Sequence, residues 1–168
     1  MEFASAEWWN FCFRWLHILS GIMWIGHLYY FNFTQTPTMP KIPAELRPAI
    51  PRFIMPEALW WFRWGAMSTI FFGLVLALQN GYLLQAIVIG IGSHSRHIAD
   101  IGIGMWLGTI MWANVWFIIW PNQQRLLGMV PATDAEKPRL ARVAGLASRT
   151  NTLLSIPMVY CMTSIHFY

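Results

Sequence analysis

The sequence predicts an all-α integral membrane protein, a four-transmembrane-helix bundle forming one domain over 1–168, with N- and C-termini periplasmic. Three observations carry this expectation. Only 11% of the residues are charged, where soluble domains carry roughly 25%. Hydrophobic residues make up 57% and aromatic residues 16%, with 11 Trp and 11 Phe, which leaves too few charges to cover a soluble surface. The basic residues also segregate along the chain. Together these exclude an ordinary soluble enzyme and a disordered chain. The net charge of +4 reads as a topology signal, and no nucleic-acid partner is implied.

The spans are expected at about 12–33, 58–84, 98–120 and 152–168, each near the ~20 residues that a bilayer requires. Glu2 and Glu7 precede the first span where a signal peptide has a basic region, and no small-residue cleavage site follows it. The first span should therefore stay as an anchor. Helical spacing puts His17, Ser20, Gly21, Trp24 and Leu28 on one of its faces, with His27 on the edge. The connection 34–57 holds Pro37, Pro40, Pro43, Pro48, Pro51 and Pro56. Proline removes a donor and fixes φ, so a continuous helix is excluded here and an extended surface strap is expected.

Gln85–Gly92 is apolar but too short to span alone, and either extends the second span or lies re-entrant. The third span carries Gly104 and Gly108, a small-xxx-small pair that lets another helix approach, with Gly102 and Asn114 on its small or polar face. The connection 121–149 contains PNQQR, PATDAEKPR and a short helical run, Leu140–Ser148. Trp8, Trp9, Tyr29, Tyr30, Trp60, Trp61, Trp64, Trp116, Trp120 and Tyr168 gather near span ends as interfacial belts.

With four spans, both termini share one face and the first and third connections share the other. Lys41, Arg47, Arg52, Arg125, Lys137, Arg139, Arg142 and Arg149 lie on the connection face, with Arg63 near the start of the second span. Arg14 and Arg96 lie on the terminal face. Positive residues mark the cytoplasm, so the termini are expected outside.

The same topology gathers His17, His94, His97 and His166 at the outer face, with Asp100 and Arg96 beside the middle loop. Ionisable residues inside a span are costly and need a partner or a role. Two histidines on facing helices at one depth suit a b-type haem, and Gly21 would leave room for a flat macrocycle. His17 and His166 meet that depth requirement, and Arg14 is placed to pair with a propionate. His94 and His97 with a third histidine would suit copper or zinc. The competing readings are that His17 and His166 are hydrogen-bonded packing residues, and that His94 and His97 are solvated loop residues. His27, about 15 Å from His17 at helical rise, reads as interfacial or as serving a second cofactor. Cys12 and Cys161 form no CxxC or CxxCH, read as small buried hydrophobes, and pair only if the ends of the first and last spans meet. No Walker loop, GxSxG, HExxH or dinucleotide fingerprint occurs.

RWLHILSGIMWIGHLYYFNF (Arg14–Phe33), MWANVWFIIWPNQQRLLG (Met111–Gly128) and SRTNTLLSIPMVYCMTSIHF (Ser148–Phe167) resemble, in order, three stretches of the membrane domain of bacterial cytochrome c-dependent urate oxidases. EALWWFRWGA (Glu57–Ala66) fits more loosely. The opening WLH…WIG is shared with membrane copper-resistance proteins and the membrane-type protoporphyrinogen oxidase. The resemblance points to His17, Asn122, Gln123, Arg149, Asn151 and His166. The chain departs from the family at His27, Thr150 and Ile165, and these 168 residues hold no CxxCH, so the family's cytochrome c domain is expected to be absent.

Three functions follow as expectations. The first is a small subunit of a bacterial redox complex in the inner membrane, multi-pass. It would bind haem b, or copper, near the periplasmic face and assist electron transfer among other integral membrane subunits. The second is a urate oxidase-like membrane enzyme using a separate c-type cytochrome. The third is a cofactor-free accessory subunit.

Overall fold

The computed structural model describes residues 2–92 and 95–164, and among these there is no strand. Helices α1 (Ala6–Tyr29), α2 (Thr36–Thr38), α3 (Met55–Gln79), α4 (Leu83–Ile87), α5 (Arg96–Ala113), α6 (Trp120–Leu126) and α7 (Lys137–Thr163) follow in chain order. Two stretches, Ile50–Gln79 and Arg96–Leu126, are long and apolar enough to cross a membrane.

The proline-rich connection corrects the expected strap. Helix continues without a break from α1 through a π segment, Tyr30–Gln35, then α2, then a 3-10 turn, Met39–Lys41. It resumes at a second π segment, Ile50–Ile54, which runs into α3. Only residues 42–48 lie outside helix. A third π segment, Asn114–Ile119, joins α5 to α6. Each π segment precedes a proline in the first turn of the next helix: Pro37, Pro56 and Pro121. The missing N–H and the bulky ring fall where the hydrogen-bond register has already widened from i−4 to i−5, so the chain turns on without a break.

The last helix also differs from expectation. It begins at Lys137 and absorbs the short run Leu140–Ser148 into one element of 27 residues. The second long helix ends at Gln79, and α4 is a separate short helix folded back on α5. Trp106 Nε1 donates to the Ile87 carbonyl at 2.9 Å. Gly102 sits so close to the Ala86 carbonyl that no Cβ fits there, so the glycine is what lets α4 dock.

Two antiparallel pairs dominate the packing, α1 with α3 and α5 with α7. Trp24, Leu28, Leu59, Phe62, Met111, Val115, Ile119 and Met158 form the shared core. Outside that core many large apolar side chains stay exposed, among them Ile22 at 65%, Phe117 at 70% and Leu153 at 71%. Soluble monomers rarely expose apolar surface on this scale.

Candidate functional site

The α1 face expected from spacing is the one that packs. Trp24 and Leu28 are buried at 1% and 0%. Opposite it, α3 presents Gly65, Thr69 and Gly73, a small residue at every fourth position. Gly65 lies against the Trp24 backbone, Gly21 against the Thr69 methyl, and Gly73 against the His17 ring. A Cβ on Gly73 would stand 2.8 Å from His17 Cε1, so the imidazole occupies the space that this glycine leaves empty.

His17 Nδ1 lies 2.8 Å from the Thr69 carbonyl oxygen. A carbonyl can only accept, so Nδ1 carries the proton and Nε2 of a neutral ring keeps its lone pair. This is the arrangement that orients a metal-binding histidine, whose second nitrogen is commonly fixed by a carbonyl or carboxylate. Arg14, one turn earlier and exposed, donates to Asn10 Oδ1 at 3.2 Å. The other expected ligand, His166, lies outside the described residues, as does His94. His97 is half-buried in the first turn of α5. Among the described residues no three His, Cys, Asp or Glu side chains come together as a metal site. Both cysteines are free.

A polar seam crosses the core on the far side from His17. Asn151 is fully buried, accepts from Asn114 Nδ2 at 2.8 Å and donates to the Met111 carbonyl at 2.9 Å. Tyr29 and Ser155 share a 3.0 Å hydroxyl–hydroxyl bond, and Asn32 donates to Ser148 Oγ at 2.8 Å. Ser148, Asn151 and Ser155 line one face of α7. Asn32 and Asn114 both belong to π segments, whose wide turns aim them at that face. Of these, Asn151 was reached only through the resemblance, and Asn32, Ser148 and Ser155 were missed. At the opposite end, Ser164 donates to Asp100 Oδ2 at 3.3 Å and ties the end of α7 to the start of α5.

The other expected residues are distributed around this frame. Gly104 packs closely as anticipated, since a Cβ there would meet Met162 Cε at 2.9 Å and Cys161 Cβ at 3.2 Å. Gly108 is merely touched by Ile70 at 4.0 Å. Asn122 bonds back to its own helix at Ile118, and Arg149 is exposed. Trp116 and Trp120 do more than flank a helix end. With Trp64 they box the Arg63 guanidinium, which lies 3.8 Å from the Trp120 centroid and 5.2 Å from that of Trp116. Cation–π contact compensates a cation that has no carboxylate beside it among the described residues.

Residues 91–168 match the family model described as Urate oxidase N-terminal. That segment contains two of the three resembling stretches, Met111–Gly128 and Ser148–Phe167. No curated relative and no solved structure matches.

Proposed function

We propose, from the urate oxidase N-terminal-like segment that the chain carries over residues 91–168, a small multi-pass subunit of a bacterial inner-membrane redox complex, with His17 as an axial ligand to haem b. The membrane placement is supported by the low charge, the two long apolar helices and the large apolar side chains left exposed. The single observation that carries the haem reading is the Nδ1 bond from His17 to the Thr69 carbonyl. It leaves Nε2 of a neutral ring with a lone pair that would hold the iron, and the ring lies against Gly73.

His166 is the proposed second ligand. Tyr29 and Ser155 touch, and α7 continues to Thr163, about 12 Å further at helical rise. That brings Thr163 toward the level of Gly21, about one turn short of His17, and His166 is three residues on in sequence. Arg14 would pair with a propionate, since its guanidinium keeps donors beyond the one given to Asn10. The haem would supply one-electron transfer. The protein's part is to orient the imidazole, to raise its basicity through the carbonyl bond, and to exclude water through the α1–α3 contact.

A urate oxidase-like enzyme that passes electrons to a separate cytochrome c is the second reading, favoured by the family match. Pyridine haemochrome and elemental analysis of the native complex test the first reading. About one haem b per chain is expected. Absence of both haem and copper overturns it and leaves a cofactor-free subunit, while urate-dependent reduction of added cytochrome c selects the enzyme.

A further inference from the structure

We infer that the groove beside His27 binds the head ring of a lipid-soluble hydroquinone. The groove has a volume of about 680 Å³. It runs along α1 from the level of Tyr30 to that of Leu19, about 16 Å at helical rise, with α3 as its other wall.

Four lining side chains carry polar groups, His27, Glu57, Tyr30 and Trp61; the rest are apolar. His27 Nδ1 lies 2.7 Å from the Met23 carbonyl. As a carbonyl accepts only, Nδ1 donates and Nε2 is left as an acceptor. Glu57 stands in the first turn of α3. It has no hydrogen-bond or ion-pair partner among the described residues. The groove thus offers acceptors at His27 Nε2 and the Glu57 carboxylate, and donors at the Tyr30 hydroxyl and the Trp61 N–H. The unpaired carboxylate disfavours an anionic ligand, and the set suits a neutral partner that both donates and accepts through hydroxyls on an apolar body. Trp61 and Tyr30 supply the aromatic walls for a flat ring.

Gly26 points to an occupant independently. Glycine weakens a helix relative to alanine, and elsewhere on this contact the glycines repay that by admitting α3. Gly26 admits nothing: a Cβ there meets no atom within 4 Å, and the residue is exposed in the floor of the groove. What its missing side chain does is keep the groove open.

The inference goes beyond the haem reading and rests only on its membrane placement, which carbonate extraction of the same membranes tests separately. The chain would be reconstituted in phosphatidylcholine nanodiscs and titrated calorimetrically with a decyl-substituted benzohydroquinone. Gly26→Phe puts a ring into the groove from a position where the first side-chain carbon meets nothing, and Glu57→Gln removes the anionic acceptor. Each is expected to weaken binding at least tenfold while the helical circular-dichroism melt stays that of the wild type. Unchanged affinity in Gly26→Phe overturns the proposal. So does equal displacement of the probe by phosphatidylethanolamine, which would make the occupant a lipid ammonium group.

Discussion

Helix α1 carries two histidines, His17 in its first half and His27 in its second, and the structure treats the two halves oppositely. At His17 the ring is pressed into the gap over Gly73, with its Nδ1 proton given to a carbonyl of another helix. At His27 the proton goes to a carbonyl of its own helix, and Gly26 beside it faces open space. One histidine is positioned by tertiary structure and the other by local structure alone. The lesson is that a histidine in an apolar helix takes its chemistry from what faces it. The facing residues here are small ones on α3, placed fifty residues or so away in sequence.

The sharpest way to break this comparison is to fill both gaps. Gly73→Leu must push the His17 ring out of the α1–α3 contact and should destabilise the protein by about 1–3 kcal/mol, as overpacking usually does. Thermal unfolding in detergent reads this as a clear fall in midpoint. Asn151→Leu comes next. It strands the Asn114 side-chain amide and removes a second donor from the Met111 carbonyl, at a cost of about 1–2 kcal/mol for buried partners of this kind, measurable in the same melts. Gly26→Ala should move the midpoint the other way, by up to about 1 kcal/mol, since it restores helix propensity without a clash. A fall in midpoint equal to that of Gly73→Leu would erase the distinction between the two halves.

The smallest effect belongs to the connection before α7. Glu136 accepts from the Thr133 backbone and hydroxyl and from Arg125, and these bonds hold its carboxyl below the usual range. Asp134 is lowered likewise, through Lys137. Because both are depressed in the folded chain, their contribution is complete above the ordinary carboxylate range and is lost as pH falls through it. Both groups are exposed, so a slight loosening is expected. The protection factors of amides 133–137, which correct for the slower intrinsic exchange in acid, should fall below about pH 4 while those in the α1–α3 contact hold constant.

Much of the frame was legible because it follows from periodicity. The packed face of α1, from His17 to Leu28, came from spacing alone, and so did the close approach at Gly104. The same spacing named Gly108, which is barely touched, because a small residue permits an approach without dictating one. Gly65, Thr69 and Gly73 repeat the pattern and were readable in principle; what hides them is that spacing on one helix does not say which helix faces it. The prolines misled for a related reason. Each proline signals an unusable hydrogen bond, and a π turn can accommodate that as well as a strap can. The polar seam was legible only in part: Asn114 stood on the small or polar face of its span and Asn151 came through the resemblance, while a π turn rotates Asn32 off the face that a regular helix would give it.

The central claim is that His17, and not His27, holds an iron porphyrin. Absorption spectra of the wild type and of His17→Ala and His27→Ala, all purified from haem-replete membranes, test it most directly. The account predicts a Soret band in the wild type and in His27→Ala, and its loss in His17→Ala. A Soret band that survives intact in His17→Ala, or one that is missing from the wild type, would contradict it.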